Sequence, residues 1–71
     1  MNVDLDKTPC VFAHPKLNNL FYCSRHSQGM TQNIAEADRF VGAKARIDGV
    51  SSMLQRFPNI KRGQVLFTYL T

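Results

Sequence analysis

A small α+β domain, an antiparallel sheet of three or four strands with one main helix packed on one face, is predicted by three features of this 71-residue chain. Apolar residues recur at helical spacing between Ala43 and Phe57. Two short apolar runs flank a turn-forming segment between Cys10 and Arg25, and a last apolar run occupies Gln64–Leu70. The predicted order is β-hairpin, helix, strand: two layers around one core, which suits a chain of this length. A chain this short buries only about 60% of the surface its unfolded form exposes, so the core must recruit most of the large apolar side chains. The five phenylalanines and two tyrosines are therefore read as core first and as a stacking surface second.

Residues 1–8 read as a flexible tail, with residues 9–71 as the single domain. Within the tail Val3 and Leu5 alternate with Asp4 and Asp6, the period of a strand that can add to a sheet edge. Pro9 precedes the first strand, Cys10-Val11-Phe12-Ala13-His14. Pro15-Lys16-Leu17-Asn18-Asn19 carries turn chemistry, and Leu20-Phe21-Tyr22-Cys23-Ser24-Arg25 returns as the second strand of a hairpin. His26–Gln32 is polar apart from Met30 and contains Gly29, so it reads as a loop. Asn33-Ile34-Ala35-Glu36 has capping-box spacing and predicts a short helical turn over Ile34–Asp38. Arg39-Phe40-Val41 is either the end of that turn or a brief strand, and Gly42 breaks it.

Ala43, Ile47, Val50, Leu54 and Phe57 recur at spacings of 4, 3, 4 and 3, one stripe of an α-helix. Gly49 inside this helix costs up to about 1 kcal/mol relative to alanine and suggests close packing on the sheet. Pro58 stops the helix, because the residue before a proline avoids helical angles. Gln64–Leu70 has large side chains on both faces, which predicts an inner strand.

The chain carries a net charge of +4. Residues 1–8 contribute −1 and residues 9–42 contribute +1, so the excess resides in residues 43–71. There Lys44, Arg46, Arg56, Lys61 and Arg62 face a single acid, Asp48. This asymmetry predicts an anionic partner, either an acidic protein surface or nucleic acid. Arg56 also complements the helix dipole at its C-terminus. No apolar run approaches the roughly 20 residues that span a bilayer, and the N-terminus lacks the pattern of a signal peptide. The expected setting is a reducing cytoplasm without membrane contact, in which Cys10 and Cys23 are free thiols.

Cys10, His14, Cys23 and His26 form the sharpest chemical pattern, two thiols and two imidazoles of the kind that bind zinc. A regular hairpin excludes it: with Cys10 facing Cys23, the two imidazoles lie at opposite ends, more than about 15 Å apart at 3.3 Å per residue. No metal or cofactor is therefore expected, with that tetrad as the alternative. A thiol paired with a histidine could act as nucleophile and base, but no third orienting group accompanies either thiol. The acids form no paired set, there is no glycine-rich phosphate loop, and the expectation is a protein without catalysis.

The residue order from Leu20 to Leu70 resembles small accessory proteins of phages. It carries an FY-S strand (Phe21-Tyr22-Cys23-Ser24), a T-x-x-(I/L)-x-E-A-x-x-F segment (Thr31 to Phe40), and a helix ending in Phe57-Pro58-Asn59 before a last apolar strand. The resemblance implies a ββαβ-like fold and a non-enzymatic regulator that binds and inhibits or redirects a host protein complex, such as RNA polymerase or a defence nuclease complex. No catalytic residues travel with it. The expected partner-binding set is Val3, Leu5, Lys44, Arg46, Arg56, Lys61 and Arg62. The alternative is a small nucleic-acid-binding protein whose Lys44, Arg46, Arg56, Lys61 and Arg62 contact phosphates.

Overall fold

Cys10-Val11-Phe12-Ala13 forms β1, and all four residues are buried. An unbroken buried run is what a strand shows when both of its faces are covered. A computed structural model describes residues 4–17 and 19–70, so Val3 and Asn18 lie outside the described residues. Strand β2 is Phe21–Tyr22, β3 is Met30–Thr31, helix α1 is Ala43–Arg56 and β4 is Leu66–Tyr69. The sheet is antiparallel with strand order β3-β2-β1-β4. The predicted α+β architecture, three or four strands with one main helix, is the one observed, with four strands among the described residues.

The hairpin forms with Ala13 opposite Phe21, closed by a bond from His14 N to the Leu20 carbonyl at 2.9 Å. Its second strand is shorter than Leu20–Arg25 because the chain turns after Tyr22. Gly29, at φ 77°, permits that reversal, and Cys23 N donates to the Gly29 carbonyl at 3.0 Å. The chain then returns as β3, with Tyr22 opposite Met30. The segment expected to be only a loop therefore contains a strand, too short to show periodicity.

A 3-10 helical turn at Ile34–Glu36 follows, and Asn33 Oδ1 accepts from Ala35 N at 3.0 Å, as the capping spacing predicts. Glu36 does not close the box on the Asn33 backbone. Its carboxylate instead accepts from the Asn33 side-chain amide and from the Thr31 hydroxyl. Of the two readings of Arg39-Phe40-Val41, the strand-like one is realised at Phe40 alone. Cys10 N donates to Phe40 O at 2.9 Å and Phe40 N to Cys10 O at 2.8 Å.

Two expectations are corrected. The inner strands are β2 and β1, and β4 lies at a sheet edge, paired along one side with β1. Large residues on both faces of β4 reflect incomplete cover: Leu66 and Phe67 are both exposed. The apolar stripe of α1 is also only half used. Val50 is buried, and Leu54 and Phe57 pack at the margin of the core, but Ala43 and Ile47 face outward, Ile47 being 59% exposed. The buried line runs instead through Gly49, Val50 and Met53. α1 ends at Arg56, with Phe57 N donating to Met53 O at 2.9 Å before Pro58.

Gly49 is where the helix meets the sheet. A Cβ there would lie 2.5 Å from Phe40 Cε1 and 2.9 Å from Phe12 Cε2. The Phe12 and Phe40 rings stack with centroids 4.5 Å apart and planes 5° apart, and Phe67 lies against Phe12 at 5.1 Å. Gly49→Ala is expected to lower stability by about 1–3 kcal/mol through overpacking. That loss outweighs a helix-propensity gain of about 1 kcal/mol. A reduced urea midpoint with an unchanged m-value is the signature.

Candidate functional site

The exposed half of the α1 stripe does not face open solvent alone. Ala43, Arg46, Ile47 and Val50 of α1, Arg62 of the turn after the helix, and Phe67 of β4 line a groove of about 280 Å³. Its floor is apolar, made by Ile47 and Val50 of α1 with Phe67 of β4, the strand at the edge of the sheet. Its charged lining is cationic, with no carboxylate among the described lining residues.

The two arginines arrive from different elements and are held differently. Arg46 is half-buried on the first half of α1, its guanidinium carbon 5.9 Å from the Tyr69 ring centroid. That is cation–π range. Its Nη1 also donates to the Leu5 carbonyl. Arg62 opens a 3-10 turn at Arg62–Gln64, and its Nη2 donates to Ser51 Oγ at 2.9 Å, tying the turn to α1.

The other members of the expected partner-binding set divide. Lys44 and Lys61 are exposed but do not line the groove. Leu5 is exposed and belongs to a turn in which Lys7 N and Thr8 N both donate to Asp4 O, at 3.1 and 2.7 Å. It is therefore not in the extended form that its alternation with aspartates suggests. Val3 lies outside the described residues. Arg56 plays a structural part, its guanidinium donating to the carbonyls of Ser24, His26 and Ser27 at 3.3, 3.2 and 2.7 Å. It thereby pins the loop between β2 and β3, and a Cβ on Gly29 would collide with its side chain at 2.7 Å. Ile47 and Phe67, read from sequence as core, are instead groove residues. No sequence signal separates a covered stripe from an uncovered one; that depends on where the sheet stops.

The expected geometry of the metal tetrad changes as well. Cys10 does not face Cys23 across the hairpin, because its free side is taken by Phe40. Both cysteines are free and buried. Cys23 Sγ donates to the Glu36 carbonyl at 3.2 Å rather than to an imidazole. His14 Nδ1 accepts from Lys16 N and Leu17 N, and His26 Nδ1 accepts from Gln28 N, each imidazole capping its own turn. Among the described residues no group of three or more His, Cys, Asp or Glu is arranged to hold a metal, and no helix is long and apolar enough to cross a membrane. A second hollow of about 250 Å³ is lined by Cys23, Arg25, His26 and Glu36.

Burial pushes the Cys10 thiol up from its ordinary range, with the charge of Arg46 and a backbone hydrogen bond from Thr68 pulling the other way. Burial, then the nearby Asp38 carboxylate, raises Tyr22. Comparison of the chain with protein-family models, with curated proteins and with solved structures finds no match.

Two outcomes follow from these contacts. Arg56→Lys keeps the charge but loses the planar fork that reaches three carbonyls. It is expected to cost about 1 kcal/mol, with faster amide exchange over Ser24–Gly29. Because the folded state holds the Cys10 thiol protonated, its contribution is fully present below the unfolded thiol pKa of about 8.5 and declines as pH rises past it. Urea midpoints should therefore fall between about pH 8 and 10, less so in Cys10→Ala. Tyr22 extends the decline above about pH 10 by the same sign.

Proposed function

We propose that this protein is a non-catalytic regulator that docks on an acidic surface of a partner protein through the cation-rimmed groove between α1 and β4. One observation carries this reading. Arg46 and Arg62, brought from a helix and a separate turn, border an apolar floor made by Ile47, Val50 and Phe67, with no acid among the described lining residues. A desolvated apolar floor with arginines at its edge is the composition of a protein-binding patch. Lys44 and Lys61 extend the positive field and steer an acidic partner toward it. The resemblance of Leu20–Leu70 to small phage accessory proteins supports a host complex, RNA polymerase or a defence nuclease complex, as the partner.

Phosphate binding through the same cations is the second reading, favoured by the +4 charge of residues 43–71. The two differ in their dependence on the apolar floor. Ile47→Ser removes the apolar floor residue without adding charge beside Arg46 and Arg62, so it weakens protein docking and leaves phosphate contacts nearly intact. The test compares wild type, Ile47→Ser and Arg62→Glu as tagged baits in a bacterial lysate, with a mobility-shift titration of duplex and single-stranded DNA at two salt concentrations. A specific protein retained by wild type and lost by both variants is the expected result, with association of the purified pair slowed about tenfold by Arg62→Glu. Equal capture by all three baits would remove the groove from consideration as the docking surface. A DNA shift at micromolar protein that collapses with salt would establish the second reading instead.

A further inference from the structure

The edge of β4 carries more information than its exposure. Leu70 N donates to Pro9 O at 2.9 Å, and Cys10, opposite Tyr69, directs both its N–H and its C=O to Phe40 at the other side of β1. Bonding in an antiparallel ladder alternates. Thr68 and Leu66 therefore face β1, while the N–H and C=O groups of Phe67 and Tyr69 point away from the sheet. Those groups form an open template on a strand whose outer side is unpaired among the described residues. Ala43 and Ile47 of α1 are exposed and share their groove with Phe67 of this edge strand.

We propose that an extended peptide carrying apolar and acidic residues on one and the same face adds to β4 as a fifth strand. This rests on the groove reading and specifies its occupant. Pairing to Phe67 and Tyr69 supplies main-chain hydrogen bonds, and alternate side chains of the added strand face α1. The apolar ones meet Ile47 and Phe67, completing the half of the helical stripe left bare. Acidic residues on that same face, two positions from the apolar ones, reach Arg46 and Arg62 at the groove margin. Charge complementarity selects the peptide, because both charged lining residues are arginines. The chain itself already shows an acidic–apolar segment at this rim: Arg46 holds the carbonyl of Leu5, between Asp4 and Asp6.

The test uses the full chain and a capped octapeptide with valine and aspartate in turn at every second position and serine between them, followed by residue-resolved amide exchange. In the free protein the Phe67 and Tyr69 amides should exchange faster than that of Thr68, which faces β1. With peptide bound, Phe67 and Tyr69 should slow by about tenfold or more, a gain expected of newly formed backbone bonds, and Thr68 should not change. A peptide N-methylated at alternate residues, and the Arg62→Glu variant with the unmodified peptide, should each bind about tenfold more weakly. Peptide binding that shifts Ile47 and Arg46 resonances while leaving Phe67 and Tyr69 unprotected would overturn strand addition and leave the groove reading standing. Absence of binding at millimolar peptide would overturn the proposal, and capture of a partner lost in Ile47→Ser would still support the groove. Protection of the two amides that rises with protein concentration alone would overturn it in favour of a second copy on the edge.

Discussion

Helix α1 descends to contact with the sheet at Gly49, where the absent side chain makes room for the stacked rings of Phe12 and Phe40. That approach organises the molecule. Phe12 belongs to the central strand and Phe40 to the segment that bridges it, so the stack joins two parts of the chain distant in sequence. Offset aromatic pairs add about 0.5–1.5 kcal/mol beyond the area they bury. With so small a core, most other buried side chains, including Met53, Val50, Tyr22 and Met30, pack around that contact.

The same contact determines what remains uncovered. The helix is anchored at its middle and C-terminal half by Gly49, Val50 and Met53, and Arg56 fastens its end to the loop before β3. Its first half is left with Ala43 and Ile47 exposed. Apolar surface beside a strand edge that is unpaired among the described residues is a liability that proteins commonly blunt with charge. Here Arg46 and Arg62 stand at that margin, which both discourages indiscriminate pairing and favours acidic partners.

The placement of charge shows why composition is an incomplete guide to surfaces. Five cations in residues 43–71 look like one patch along the chain. In space Arg56 is engaged by three carbonyls, Arg46 and Arg62 share a groove, and Lys44 and Lys61 stand apart from it. Cys10 and Cys23, joined by spacing to His14 and His26, are likewise separated by the bridge that Phe40 makes to Cys10.

Local rules were enough to predict the helix over Ala43–Phe57, its stop at Pro58, the hairpin about Pro15 and the capped turn after Asn33. Each depends on residues within a few positions of one another, so periodicity and capping chemistry report them directly. Strand order, the edge position of β4 and the short β3 were decided only by tertiary structure, because they depend on which distant segments compete for the two sides of β1. The groove belongs to that second class. Ile47 and Val50 read alike as members of one apolar stripe, and only the extent of the sheet beneath them buries one and exposes the other.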